Sequence, residues 1–385
     1  MEIYLDNSAT TRPFDVAVDA VCACMRETFY NASAAYRPAV DAERRMRAVR
    51  GQIARALGAR EDEVVFVSGG TEADNLAILG TAALQRKPMR FLCSAVEHPA
   101  VLEAMARVKE MGHDVRTLPV TSRGVLDLDA AAALLSPDTA LVSVMQVNNE
   151  TGAVQPIAAL RALMDRLCPG ARLHVDGVQG FLRVPISLSA LRVDLYALSA
   201  HKIHGPKGVG ALIVRKGTRL APVLLGGGQE GGLRSGTYNT PGIAGMGAAV
   251  EAFSALEDPC GRMAQLKRAL AQRLLAGVPG ARINGPLPDE PDAAPHILNV
   301  SFPNVRGEVL LHALEGQGIY VSTGSACSSH GRKVSQGLRA MGLSPQQAEG
   351  AIRFSLSPMN TLPEIERAAD AAIAAHAQLS QFRRR

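Results

Sequence analysis

The run Val64-Val65-Phe66-Val67-Ser68-Gly69-Gly70-Thr71-Glu72-Ala73-Asp74-Asn75 contains, in order, the parts of an α/β unit. Four consecutive β-branched or aromatic residues read as a buried strand, Ser68-Gly69-Gly70-Thr71 as a turn, and residues 72–79 as a helix. The pattern recurs downstream. Residues 90–94 read as a strand followed by a helix over 100–109, and residues 140–147, 172–175, 194–198 and 209–214 read as further short strands. Strands alternating with helices predict an α/β fold, a mostly parallel central sheet with helices on both faces. Ligands of such sheets bind beyond the carboxyl ends of the strands. Near residue 255 the texture changes. One long helix is predicted over 251–275, then a Pro-rich stretch over 286–295, a strand over 297–302, a helix over 308–315 and a strand over 319–321. This predicts a second, smaller α+β domain.

The chain has 385 residues, too many for one small core, which agrees with two domains. Apolar residues make up 47% and charged residues 20%, which excludes a disordered chain. There is no tryptophan, so aliphatic side chains must build most of the core. The formal charge is +5, part of it in Arg383-Arg384-Arg385. That tail reads as solvated, and no nucleic-acid signature accompanies it. The cysteines Cys22, Cys24, Cys93, Cys168, Cys260 and Cys327 are scattered, without a repeated CxxC pair. They predict neither a disulfide scaffold nor a metal site. Met1-Glu2-Ile3-Tyr4-Leu5-Asp6 lacks the pattern of a signal peptide, and no apolar run is long enough to span a bilayer. A cytoplasmic protein without a membrane partner is expected, with its thiols reduced.

Ser199-Ala200-His201-Lys202-Ile203-His204-Gly205-Pro206-Lys207-Gly208 puts a lysine in a Gly/Pro-rich loop just past a strand. An ordinary lysine, with a pKa of about 10.4, is a poor nucleophile at neutral pH. Partial burial and neighbouring cations lower that value, and His201, His204 and Lys207 are candidate neighbours. A pyridoxal 5'-phosphate (PLP) enzyme needs such a lysine to hold its cofactor. Taken alone, a loop lysine is usually just solvated. His174-Val175-Asp176-Gly177-Val178-Gln179 places an acid at the end of an apolar strand. A carboxylate there keeps a pyridine nitrogen protonated, and Gln179 can bond the ring hydroxyl. A helix N-cap is the ordinary alternative for Asp176. In the 68–71 turn, glycines and free helix amides suit a phosphate, and the ending of a nucleotide P-loop is missing. Glu97-His98-Pro99 brings an imidazole that can stack on a ring and shuttle protons. Asn148-Asn149-Glu150-Thr151-Gly152 offers amides to a substrate or to the ring hydroxyl. Five strand ends thus suit one flat, anionic cofactor, and their convergence carries the expectation.

These strings join Tyr4-Leu5-Asp6-Asn7-Ser8-Ala9-Thr10-Thr11, Gly227-Gly228-Gln229-Glu230, Arg234-Ser235-Gly236-Thr237, Gly324-Ser325-Ala326-Cys327 and Arg353-Phe354-Ser355-Leu356. In that order the chain resembles the cysteine desulfurases of the NifS/IscS type, class V aminotransferase-like PLP enzymes of fold type I. The resemblance implies a large PLP-binding domain over 13–255, and a small domain made of 1–12 and 256–385 that carries the catalytic cysteine loop. It implies that Lys202 holds the cofactor covalently, that Asp176 pairs with the pyridine nitrogen and Gln179 with the ring hydroxyl, and that His98 stacks on the ring. Gly70, Thr71, Ser199 and His201 would bind the phosphate. Thr237 would reach the phosphate of a neighbouring subunit, so a homodimer is implied. Asn149 and Arg353 would grip the carboxylate of L-cysteine, for which the planar fork of arginine is suited.

Cys327 sits in a small, polar, Gly-containing stretch, unlike the apolar surroundings of a structural cysteine. Even a minor thiolate fraction makes it a strong nucleophile, and His330, three residues on, is a candidate to raise that fraction. The implied reaction takes the sulfur of L-cysteine onto Cys327 as a persulfide and releases alanine. A sulfur-acceptor protein, an iron–sulfur scaffold or a thiolation enzyme, would follow. Two segments depart from the family pattern. Residues 30–36 read Tyr30-Asn31-Ala32-Ser33-Ala34-Ala35-Tyr36 where relatives carry Gly-Asn-Pro-Ser-Ser-x-His, and Ser357-Pro358-Met359-Asn360 replaces a glycine–arginine pair. The tail is also shorter than the one that docks the scaffold in housekeeping members, which suggests another acceptor or another docking mode. The alternatives are a selenocysteine lyase, a β-eliminating lyase and a weakly active sulfur-relay scaffold.

Overall fold

The computed structural model describes residues 2–323 and 335–381. Cys327, His330 and Arg383-Arg384-Arg385 lie outside the described residues. The strands are β1 (Ile3–Tyr4), β2 (Val64–Val67), β3 (Arg90–Ser94), β4 (Asp114–Leu118), β5 (Thr139–Met145), β6 (Arg172–Asp176), β7 (Leu195–Ser199), β8 (Gly210–Val214), β9 (Arg282–Ile283), β10 (Ile297–Ser301), β11 (Ile319–Tyr320) and β12 (Ala351–Ser355). Seven of them form one sheet in the order β2-β8-β7-β6-β5-β3-β4. Only β8 runs against its neighbours there.

Apolar runs, rather than alternation, suit this sheet because both faces are covered. Successive side chains of a strand enter opposite cores. Leu92, Val142, Val144, Val175 and Leu198 pack against the helices Arg37–Leu57 and Thr240–Ser254. Phe91, Cys93, Leu141, Ala197 and Leu212 pack under the helices Gly70–Ala82 and Pro99–Glu110. The strands read from sequence in this sheet match to within two residues. β4 escapes that reading because it is an edge strand with Arg116 and Thr117 exposed.

A separate core joins Ile3 and Leu5 to Met263, Leu270, Val300, Leu310, Phe354 and Ile365. Here β10 lies antiparallel between β9 and β12, and β1 runs parallel to β11. The helix predicted over 251–275 is in fact the ends of two, Thr240–Ser254 and Pro259–Gly277. Pro259 has no N–H to continue a helix. Asp258, at φ 39°, starts the second helix by accepting from the Gly261 N–H at 3.0 Å. Among the described residues, no helix is long and apolar enough to cross a membrane.

Candidate active site

The parallel strands point their carboxyl ends to one edge of the sheet, and a cavity of about 340 Å³ opens there. Gly70 and Thr71 reach it from the turn after β2, His98 from after β3, and Asn149 from after β5. Asp176 ends β6 and Ser199 ends β7; Gln179, His201 and Lys202 follow in their loops. Arg353 enters from β12, and Ser8, Ala9, Ser322 and Thr323 complete the wall.

Local sequence explains the placements. The helix Gly70–Ala82 begins at Gly69, which has φ 155° and no side chain to cap the first amides. Those amides stay available to an anion. A Cβ on Gly70 would come within 2.6 Å of Val178 Cγ2, so glycine allows this approach. His98 caps its own helix, its Nδ1 accepting from the Ala100 N–H at 3.1 Å. In the neutral ring the proton therefore sits on Nε2. Burial pushes the His98 pKa down, so the ring is neutral at neutral pH. Lys202 Nζ donates to the Ser8 carbonyl at 2.5 Å and to that of Ala9 at 2.8 Å.

The cavity floor is acidic. Asp176 Oδ1 accepts from the Val178 N–H at 2.9 Å, so the turn-capping role and a cavity role coexist. Burial pushes the Asp176 carboxyl up, opposed by His98, the Val178 N–H and Lys202. Asp74 also lines the cavity, and burial plus the nearby Asp176 and Glu97 push it well above the usual range. Burial drives Glu97 up to about 8, although it accepts from Ser94 Oγ at 2.5 Å and from the Met145 N–H at 2.8 Å. Among the described residues, Asp74 Oδ1 and Glu97 Oε2 are buried without hydrogen-bond partners. A cation beside Asp176 would relieve this cluster, and a protonated pyridine nitrogen is such a cation. The amides at Gly70 and Thr71 suit the phosphate at the other end. The residues present therefore fit PLP.

Two expected neighbours of Lys202 behave otherwise. Burial, first of all, pushes both His201 and His204 down to about 4, so neither is a cation at neutral pH. His204 also turns aside, stacking on Phe14 at 4.3 Å with its Nδ1 2.7 Å from the Arg12 carbonyl. The buried cation that does touch this loop is Arg183, which donates to the Lys202 carbonyl. Neither Arg183 nor Asp74 was legible as a site residue, because each sits inside a helical or turn pattern that looks ordinary. Arg353 arrives partly engaged, with Nη2 2.7 Å from Asp6 Oδ1 and Nη1 donating to the Asn149 carbonyl at 3.0 Å. Thr237 is exposed and does not line the cavity. The five described cysteines are free, and none of them lines it. Burial pushes Cys93 up to about 12 and Cys168 up to about 11.

Fold and site together define a PLP enzyme of fold type I. The description Aminotransferase class-V matches residues 3–368. A cysteine desulfurase of Nostoc sp. is 41% identical over 95% of this chain and 90% of its own length. A solved NifS-like protein superposes with a TM-score of 0.90 at 37% identity, covering 98% of this chain and 100% of that one. A solved structure of SspA in complex with cysteine gives 0.82 at 30% identity, covering 94% and 100%. The chain belongs to the aminotransferase class-V family, among its cysteine desulfurases of the NifS/IscS type.

Proposed function

We propose that this chain removes sulfur from L-cysteine with PLP held by Lys202, passes it to Cys327 as a persulfide and releases L-alanine. One observation carries the reading. A lysine amine, a buried carboxylate, an open helix start and an arginine fork share a single cavity. Thr323 lines the wall, and Cys327 follows it by four residues in the sequence. The high pKa of Cys93 and Cys168 makes them poor nucleophiles.

When bound, PLP supplies an electron sink at the substrate Cα. Asp176 holds the proton on the ring nitrogen, and the amides at Gly70 and Thr71, with Ser199 and His201, hold the phosphate. Gln179 bonds the ring hydroxyl. Neutral His98 covers the ring face and, through Nε2, gives or takes a proton. Arg353 and Asn149 orient the substrate carboxylate. Lys202 would move the Cα proton. Cys327 attacks the substrate sulfur. The S–S bond forms, the Cβ–S bond breaks, and Cβ takes a proton to give alanine.

Thr237 stands outside its own cavity, in keeping with service to a second copy in a homodimer. Separate cores support the division into 13–255 and 1–12 with 256–385. The protein works in the cytoplasm and hands sulfur to an acceptor protein of iron–sulfur assembly or thiolation. The test is Cys327→Ala, assayed for alanine, pyruvate and persulfide with L-cysteine. The expected result is loss of alanine and of persulfide. Surviving alanine production would show the thiol assignment to be wrong, and pyruvate in the unaltered protein would indicate a β-eliminating lyase instead.

A further inference from the structure

Arg183 lies in the turn after β6 and is 2% exposed. Burial lowers its pKa to about 10, which leaves it charged at neutral pH. Among the described residues no carboxylate pairs with it. An unpaired buried guanidinium is costly and calls for a reason. Its contacts supply one. Nη2 donates to the Lys202 carbonyl, and Nη1 donates to Gln179 Oε1 at 3.4 Å. Gln179 Nε2 in turn donates to the Ser8 carbonyl at 2.9 Å, the acceptor that Lys202 Nζ also uses at 2.5 Å. Arg183, Gln179, Ser8 and Lys202 thus close a ring of contacts at the cavity wall. A guanidinium only donates and a carbonyl only accepts. Gln179 therefore has one amide orientation, with oxygen toward Arg183 and NH2 toward Ser8 and the cavity.

We propose that Arg183 is a positioning residue that lowers the proton affinity of the link between Lys202 and PLP. It does so by presenting Gln179 to the ring oxygen as a donor, and by placing a fixed positive charge behind the Lys202 loop. The inference rests on the assignment of Lys202 and Gln179 to the cofactor. An N–H given to the ring oxygen competes with the hydrogen bond from the protonated link nitrogen to that oxygen. A fixed cation nearby disfavours a second positive charge on that nitrogen. Both effects act in one direction. Among the described residues, the other charged or titratable groups around Lys202 are Asp176, Asp74 and His98 across the cavity, His201 and Lys207 on its own loop, and Arg353 from β12. None of them changes in the variants that follow.

The test is a pH titration of the absorbance of the PLP-loaded protein without cysteine. Arg183→Met is expected to raise the midpoint by about one unit, a roughly tenfold gain in proton affinity, and Arg183→Lys to raise it less. Gln179→Leu should also raise it, and adding Arg183→Met to Gln179→Leu should then have a smaller effect than in the unaltered chain. A midpoint within about 0.2 unit of the unaltered protein in Arg183→Met would overturn the proposal. Urea unfolding of the PLP-free protein separates a packing role, since removing an unpaired buried charge should leave that form no less stable. If Arg183→Met does not fold, Arg183→Gln, which removes the charge, and Gln179→Leu decide, and an unmoved midpoint in either one counts against the idea. If the unaltered protein takes up no PLP, the cofactor reading falls together with this one. If it titrates normally and the variants do not shift, only the Arg183 inference falls.

Discussion

Arg353 shows how a single side chain can be both anchored and available. Asp6 and the Asn149 carbonyl hold two of its nitrogens, which fixes the plane of the fork at the cavity wall. Nε is buried without a partner among the described residues. Lysine can replace the charge but not the fork. Arg353→Lys is expected to raise KM for L-cysteine about tenfold, roughly 1.4 kcal/mol, with the absorbance of bound PLP unchanged. Steady-state kinetics beside a spectrum checks both halves. Lys202→Ala should still admit PLP but lose the absorbance of the covalent link, which a spectrum after gel filtration reads directly. Lys202 and Asp176 were legible in the sequence because polar groups stand out at the ends of apolar strands, whereas Arg353, in the middle of β12, was legible only through the family resemblance. Arg183 and Asp74 were not legible, because burial and an unpaired atom are three-dimensional facts.

At the scale of elements, the strand-to-turn junctions were the legible part. Apolar runs with a polar group just past the end mark β2, β3, β5, β6 and β7. Two elements were misread for definite reasons. β4 has an exposed middle, and the break before Pro259 is hidden within a periodic apolar pattern. The junction after β6 also leaves no room for a side chain on its glycine. A Cβ on Gly177 would stand 1.9 Å from Tyr196 Cζ. Tyr196 cannot retreat, being fully buried with its hydroxyl donating to Gln146 at 2.7 Å. Gly177→Ala should therefore destabilise the PLP-free protein by about 1–3 kcal/mol, read by urea unfolding. It should weaken PLP binding as well, because Asp176 is the preceding residue.

For the whole molecule, the buried groups set how stability follows pH. His174 is pushed down to about 3, and His201 and His204 to about 4. For these groups the unfolded chain binds the extra proton, so stability climbs as pH rises toward 6.5, the ordinary histidine value. Glu97 and Glu150 are raised to about 8 and about 7 from 4.5. There the folded chain holds the extra proton, so stability falls as pH rises through that interval. The two trends oppose each other up to pH 6.5; beyond it the raised carboxyls dominate until Lys267, which burial lowers to about 8, begins to act the other way. The PLP-free protein should lose stability between pH 6.5 and 8, with Glu97 alone accounting for about 2 kcal/mol. Urea midpoints across that range test it, and Glu97→Gln should flatten the slope. A midpoint that climbs instead would mean Glu97 is not held as a neutral acid.

The first residues of the chain have their partners near its other end. Ile3 pairs with Ile319, and the Asn7 N–H donates to Ser355 at 3.2 Å. Ser8 and Ala9 then wall the same cavity as Arg353. A ribosome delivers these partners in the wrong order. The seven-stranded sheet can assemble once β8 has emerged, already carrying Lys202 and Asp176. The opening segment must wait for β11 and β12 before it can dock. A chain stopped before β12 would carry Lys202 and Asp176 on its finished sheet yet lack the wall that Ser8, Ala9 and Arg353 build together.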